Sequence, residues 1–372
     1  MHEKYMRLAK RYQNAQRPYL FVNPLQAKHI PSVPSESLAM MEALGEAVKE
    51  RQADASLVIG FAETATAIGL MVAHALGVPY IHTTREALAQ GEGWMDFQEE
   101  HSHAQDQKLS LDFLREHITD PGTIVLVDDE LSTGKTVRNM VLRLRKEFPE
   151  LSHRKFLTAS ILYRLSSFHQ RKLGEMGIDS VYLARLPELD YDMEVHAWRV
   201  EKPAPLQYSE PWGEELRFPE IPKGNPRLGV DSAAYLSEWE IWGKDFAENM
   251  EKSWDSPMHK VLVLGTEECM LPAILLGKEL ESRGYDVRCH ATTRSPIGVA
   301  KDIHYPIFSG WTLESFYGAE RATYLYDLAE YDLVLVVSDA GTWREEAARS
   351  LRGALQKFGC GCLVWIGGNC VV

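Results

Sequence analysis

Cysteine is scarce in this chain and poorly placed for a framework: Cys269, Cys289, Cys360, Cys362 and Cys370 all lie in the C-terminal third. The count is odd and no C-x-x-C pair occurs, which argues against a disulfide scaffold and a structural zinc site. Cys360 and Cys362 flank one glycine and read as reduced strand-edge residues rather than metal ligands. Long apolar runs are missing as well. Stretches such as Leu333–Val337 and Leu363–Ile366 fall far short of the roughly 18 residues that a membrane span requires. Met1–Leu20 carries Lys4, Arg7, Lys10, Arg11 and Arg17 without an apolar core or a small-residue cleavage site, so the expectation is a cytoplasmic protein with no membrane partner. Positive charge is also short, with 40 Lys plus Arg against 53 Asp plus Glu and a net charge of -13. That balance repels phosphate backbones and argues against nucleic acid as a partner, while leaving room for a local basic pocket that holds a small anion.

What is present is an ordinary globular composition, 45% hydrophobic and 25% charged, over 372 residues. That length accommodates two or three domains of roughly 100–200 residues each. Strand and helix patterns alternate: strand Leu57–Ile59, helix Ala67–Leu76, strand Val78–Ile81 and strand Thr123–Val127. A helix with Val137, Met140, Val141, Leu144 and Phe148 on one face comes next, then strand Phe156–Tyr163, helix His169–Met176 and strand Val181–Leu183. Such alternation predicts a parallel sheet covered by helices. Prolines 203, 205, 211, 219, 222 and 226 then break the pattern, which reads as a linker. Alternation resumes with strand Val261–Leu264, helix Leu271–Arg283, strand Val287–His290, helix Leu313–Ala329, strand Leu333–Val337, helix Trp343–Phe358 and strand Cys362–Ile366. The predicted architecture is two parallel-sheet α/β domains, 1–201 and 228–372, joined by a Pro-rich linker at 202–227.

The halves share a pattern. Gly60-Phe61-Ala62-Glu63 followed by Thr83-Thr84-Arg85 mirrors Gly265-Thr266-Glu267-Glu268 followed by Thr292-Thr293-Arg294, and Ile124–Asp129 is echoed by Leu333–Asp339. An internal duplication explains this, with the second domain a degenerate copy of the first. The alternative is that any two α/β domains share such turns; the paired T-T-R is the sequence-specific part.

The segment richest in chemistry is Thr123–Thr136, TIVLVDDELSTGKT. A buried strand delivers Asp128 and Asp129 to its carboxyl end, the edge where open α/β sheets bind ligands. The Ser132–Thr136 turn then opens a helix whose amides can cradle a phosphate, with Gly134 allowing close approach and the Thr133 and Thr136 hydroxyls adding donors. The two acids suit vicinal sugar hydroxyls or a hydrated Mg2+. Phosphate and sugar together indicate a phosphoribosyl group. A nucleotide-triphosphate loop would need glycine five residues before Gly134-Lys135, where Asp129 stands instead. Helix capping alone would need only one acid.

This segment resembles the 5-phosphoribosyl 1-pyrophosphate (PRPP) signature of type I phosphoribosyltransferases. Arg17–Pro31, RPYLFVNPLQAKHIP, looks like the opening of the phosphoribosyltransferases encoded with tellurite-resistance operons, which are described as orotate-phosphoribosyltransferase-like. Thr293-Arg294-Ser295-Pro296 matches the T-R-S-P tetrapeptide for which their C-terminal domain is named. The resemblance implies a Mg2+-dependent transfer of ribose 5-phosphate from PRPP to a base-like small molecule, with release of pyrophosphate, in a biosynthetic or stress-response pathway. It implies that Asp128 and Asp129 hold the ribose hydroxyls and Mg2+, the metal mostly through water. Glu130, Leu131, Ser132, Thr133, Gly134, Lys135 and Thr136 would surround the 5-phosphate. Gly60, Phe61, Ala62, Glu63 and Thr64 would form the pyrophosphate loop, with Arg85 as its basic partner. Glu63 departs from the neutral or basic residue expected there; contact with Mg2+ or substrate hydroxyls and capping of the helix near Ala65 both stay open.

Glu86–Ser110 is placed like the mobile flap of that fold, with Glu100, His101 and His103 as acid/base or metal-binding candidates, or else as solvated loop residues. Lys28 and His29 are placed like the hood that recognises the base. In the second domain Gly265, Glu267, Glu268, Thr292, Thr293, Arg294 and Ser295 form a candidate anion site. There Ser338-Asp339 replaces the acid pair and Ala340–Trp343 the phosphate loop, so retained binding, separate chemistry and a structural role are all open. A PRPP-sensing regulator and a reverse-direction enzyme that cleaves a nucleotide or nucleoside are the rival readings, and a homodimer is compatible with each.

Overall fold

Two α/β units make up the chain in its computed structural model, which describes residues 2–12, 17–86, 93–97, 107–211, 214–253, 259–319 and 321–368. The first unit is built from Ala39–Glu188 and Lys223–Leu236, and the second from Glu3–Leu38, Leu189–Pro222 and Ser237–Val372. Among the described residues no helix is long and apolar enough to cross a membrane.

The first unit contains β1 (Ala55–Gly60), α1 (Thr66–Leu76), β2 (Pro79–His82), β3 (Trp94–Phe97), β4 (Gln107–Ser110), β5 (Thr123–Leu131), α2 (Lys135–Glu147), β6 (Phe156–Tyr163), α3 (Ser167–Gly174) and β7 (Ile178–Arg185). Its sheet runs β2-β1-β5-β6-β7, all parallel, with the short strand Val230–Asp231 antiparallel on β2. β1 and β6 are almost wholly buried along their lengths, as strands covered on both faces must be. The amphipathic α2 buries Val137, Met140, Val141 and Leu144, the face its spacing predicts. Gly77, with φ 69°, ends α1 by donating its N–H to the carbonyls of Ala73 and His74.

The second unit contains β8 (Lys260–Gly265), α4 (Leu271–Ser282), β9 (Asp286–Ala291), β10 (Gly310–Glu314), β11 (Ala322–Tyr326), β12 (Leu333–Ser338), α5 (Glu345–Leu355) and β13 (Cys362–Gly367). Its parallel sheet runs β9-β8-β12-β13 and ends on the strand Glu214–Phe218. The order matches the first sheet position for position, β9-β8-β12-β13 against β2-β1-β5-β6. In both, the first central strand meets the third one through its terminal glycine, Gly60 opposite Val127 and Gly265 opposite Val337. Each unit also carries an antiparallel hairpin, β3-β4 and β10-β11.

Three sequence expectations are corrected. The stretch 202–227 contains a strand: Glu214–Phe218 pairs with β13, and Glu215 accepts hydrogen bonds from Arg352 Nε at 2.8 Å and Trp365 Nε1 at 3.1 Å. Leu313–Ala329 is not a helix. Its Thr- and Tyr-rich ends pair as β10-β11, because side chains of that type gain more from a pleated, half-buried surface. Glu3–Leu38 belongs with the second unit, where Arg11 bridges Ile297 and Ser32 bridges Cys289 through their backbones.

Candidate functional site

The carboxyl ends of β1 and β5 meet in the first unit. Phe61 N–H donates to the Val127 carbonyl at 2.9 Å, which carries the loop after Gly60 across the end of β5. The loop is then fixed by side chains. Ala62 N–H donates to Thr83 Oγ1 at 2.9 Å, Gln107 Nε2 donates to the Ala62 carbonyl at 3.2 Å, and Thr83 Oγ1 donates to Gln107 Oε1. Gly60 has no room for a side chain: a Cβ would lie 2.4 Å from the Tyr80 hydroxyl. Thr64 Oγ1 donates to Asp129 Oδ1 at 2.9 Å, so the loop and the acid pair form one constellation. Asp129 N–H in turn donates to Asp128 Oδ1 at 2.9 Å.

β5 runs further than its apolar stretch implies, through Leu131. Glu130 and Leu131, expected around the 5-phosphate, are therefore strand residues. Leu131 is buried in the apolar core, and the Glu130 carboxylate receives Arg164 Nε at 2.6 Å. The turn itself is Ser132–Gly134. Gly134 has φ 65°, and the first turn of α2 contains no acid and no side-chain cap. Its leading amides are the donors that an anion would satisfy. A cleft of about 70 Å³ beside this turn is lined by Thr133, Lys135, Arg138, His169 and Lys172 among others. Its basic lining adds to the positive end of α2.

Arg85 and Glu63 are both half-buried. The N-cap position of α1 is Ala65, which has no capping side chain. The ends of the expected flap form the β3-β4 hairpin, joined to Thr84 through a bridge to Lys108. Glu100, His101 and His103 lie outside the described residues.

The second unit repeats the frame with different contents. Thr292 N–H donates to the Gly265 carbonyl at 3.0 Å, as Thr83 N–H does to Gly60 at 2.9 Å. Glu267 N–H donates to Thr292 Oγ1 at 2.9 Å, the counterpart of Ala62 and Thr83. The side chain of Glu267 is fully buried, and its Oε2 receives Arg294 Nε at 2.9 Å and Arg321 Nη2 at 2.8 Å. Its Oε1 accepts from Ser315 Oγ at 2.6 Å. Arg294 also approaches Glu268 at 3.8 Å. Thr293 bridges Tyr324, and Ser295 N–H donates to Thr293 Oγ1 at 3.2 Å. The oxyanion that Arg294 meets here is the chain's own Glu267. Arg321 and Ser315 escape sequence reasoning because they lie in the segment misread as helix.

Lys28 and His29 are buried in this same unit, and Lys28 Nζ donates to the carbonyls of Glu267 at 2.8 Å and Thr292 at 3.1 Å. That places Lys28 beneath the Glu267 turn. Nearby, burial pushes the His290 imidazole down to about 4, while its Nε2 meets the Tyr326 carbonyl at 2.8 Å. It is a neutral ring that donates a hydrogen bond.

Residues 5–178 match the family model described as phosphoribosyl transferase, and residues 225–355 match the TRSP domain found C-terminal to it. Comparison with curated proteins finds no match. Among solved structures, the adenine phosphoribosyltransferase of Thermoanaerobacter pseudethanolicus is 14% identical, covering 50% of this chain and 97% of that one with a TM-score of 0.35. That of Trypanosoma brucei, in complex with AMP, pyrophosphate and ribose-5-phosphate, is 14% identical over 48% of this chain and 76% of that one, with a TM-score of 0.34. The orotate phosphoribosyltransferase of Aeropyrum pernix is 21% identical over 41% and 72%, with a TM-score of 0.27.

Proposed function

Because the chain belongs to the phosphoribosyl transferases that carry a C-terminal TRSP domain, we propose that its first unit transfers ribose 5-phosphate from PRPP to a ring nitrogen of a base-like acceptor and releases pyrophosphate. The observation that carries this reading is the Thr64–Asp129 hydrogen bond. It draws the Gly60–Thr64 loop, the acid pair and the turn into α2 to one sheet edge.

The roles follow from the chemistry of each group. The amides that open α2, with the Thr133 and Thr136 hydroxyls, bind the 5-phosphate. Asp128 and Asp129 accept hydrogen bonds from the ribose hydroxyls. The Gly60–Thr64 loop and Arg85 hold the pyrophosphate. In the reaction the bond from C1 of the ribose to the pyrophosphate oxygen breaks with its electron pair leaving on oxygen. The ring nitrogen then bonds to C1, and its proton passes to the departing pyrophosphate or to solvent. The centre between is oxocarbenium-like, so positioning and electrostatics supply most of the rate.

The residues present fit Mg2+. Two adjacent carboxylates, Asp128 and Asp129, half-buried towards the carboxyl end of β5, are hard oxygen donors. A magnesium site of one or two carboxylates completed by water and substrate phosphates has that composition. When bound, the metal would neutralise charge on the departing pyrophosphate. A nucleotide-like biosynthetic or stress-response role in the cytoplasm agrees with the tellurite-operon resemblance. The test is pyrophosphate release from PRPP across a panel of nucleobases and related heterocycles. Tight PRPP binding without release for any acceptor would favour a sensor instead.

A further inference from the structure

The second unit repeats the backbone frame of the first and alters the side chains that would face substrate. Gly265, Thr292 and Thr293 repeat the hydrogen bonds of Gly60, Thr83 and Thr84, and Thr266 N–H reaches the Val337 carbonyl at 3.1 Å as Phe61 reaches Val127. Asp339 to Glu345 spans the same length as Asp129 to Lys135, and each span leads into its helix.

Within this frame the position of Ala62 is taken by Glu267, whose carboxylate lies fully buried under two guanidinium groups and one hydroxyl. Such a cluster, two arginines and a serine around one oxyanion, is what a protein builds to hold a phosphate or pyrophosphate. Here the oxyanion is its own. The second phosphate position is altered as well. Arg344 stands where Gly134 turns, and it donates to the carbonyls of Ser315 and Gly318, both at 2.6 Å. Glu345 and Glu346 occupy the first turn of α5, whereas α2 has no acid there. Both side chains are exposed and the Glu345 carboxylate receives Arg352 Nη1 at 2.6 Å, but negative charge in the first turn offsets the helix dipole that would otherwise attract a phosphate.

We propose that the second unit is a phosphoribosyltransferase-type frame whose pyrophosphate position is plugged by the Glu267 carboxylate, so that it takes no PRPP and holds a latent oxyanion site made of Arg294, Arg321 and Ser315. The proposal rests on assigning Gly60–Thr64 and Arg85 to pyrophosphate in the first unit. Removing the carboxylate leaves two partly buried guanidinium groups with Glu268, 3.8 Å from Arg294, as a nearby acid, an excess of positive charge that an inorganic anion would relieve.

The test uses the full chain and inorganic pyrophosphate, with stoichiometry read by calorimetry. Glu267→Ala should bind one equivalent more than the parent, and adding Arg294→Ala should remove that equivalent. Glu267→Gln, which keeps the shape and loses the charge, should also gain a site, but a weaker one. A folded Glu267→Ala protein with unchanged stoichiometry would overturn the proposal. Should both variants fail to fold, the parent decides the matter through phenylglyoxal labelling read by peptide mass spectrometry. Labelling of Arg294 should be the same with and without saturating pyrophosphate, and protection of Arg294 in the parent would show an open site and end the proposal. Arg85 serves as the separate readout: its protection by pyrophosphate tests the first-unit assignment, whatever Arg294 does.

Discussion

The Thr64 hydroxyl donates to Asp129 Oδ1 at 2.9 Å, joining the loop after β1 to the carboxyl-terminal part of β5. The loop is assigned to pyrophosphate and the acid to ribose, so on that assignment this bond sets their separation across the leaving group. Thr64→Val keeps the shape and deletes the donor. A hydrogen bond to a charged group contributes ~1.5–3 kcal/mol, so kcat/KM for PRPP should fall about tenfold or more. The melting temperature should barely move, because Thr64 is half-buried and outside the core. Unchanged kinetics in the folded variant would mean that the loop and the acid are positioned by other contacts.

Asp128 and Asp129 are half-buried in the last residues of β5, past its pairing with β1, where their charge contributes little to packing. Asp128→Asn combined with Asp129→Asn should abolish Mg2+-dependent PRPP binding by calorimetry and leave the circular dichroism spectrum intact. Retention of PRPP affinity would remove the acids from the ribose site.

Gly134 and Gly77 both have left-handed backbones, with φ 65° and 69°. Alanine at either should cost ~1–2 kcal/mol in strain. Only Gly134 opens α2, and a Cβ there would come within 3.0 Å of Leu173 Cδ1, whereas Gly77 has nothing within 4 Å. Gly134→Ala should therefore lower PRPP affinity and stability together, and Gly77→Ala stability alone. Equal PRPP affinities in the two variants would argue against phosphate binding at the α2 turn.

Local patterns made part of this molecule readable. Val137, Met140, Val141 and Leu144 announce α2, and the run before Asp128 announces β5. Spacing alone failed where the deciding partner is distant in sequence. Leu313, Phe316 and Tyr317 fit a helical period as well as a hairpin, and the choice is made by pairing with Ala322–Tyr326. Glu214–Phe218 looks like charged linker because it is an edge strand, and Glu215 becomes intelligible only beside Arg352, which is fully buried. Arg294 reads as an anion ligand until the turn after β8 brings Glu267 onto it.

The second unit carries a pH response that can be given a sign. His290 is buried, and its imidazole is lowered to about 4 from an unfolded value of 6.5, first by burial and then also by the positive charge of Lys28. Between those values the unfolded chain binds a proton that the folded chain refuses. Stability is therefore lost as pH falls from about 6.5 towards 4, by about 3 kcal/mol if His290 acted alone. Asp327 works in the opposite sense. Burial raises its carboxyl to about 6 from 3.8, against hydrogen bonds from the Phe308 and Ser309 amides that lower it. Across that window the folded chain holds the extra proton, so the Asp327 contribution favours folding as pH falls. The two nearly cancel between about 4 and 6, which leaves the His290 slope uncovered only near pH 6 to 6.5. Asp327→Asn should unmask it: urea unfolding of that variant should show stability dropping steadily from pH 6.5 to 4, where the parent is flatter. Adding His290→Gln, which keeps an N–H donor for the Tyr326 carbonyl, should flatten the curve again. A steep acid limb that survives in the double variant would assign the response to other groups.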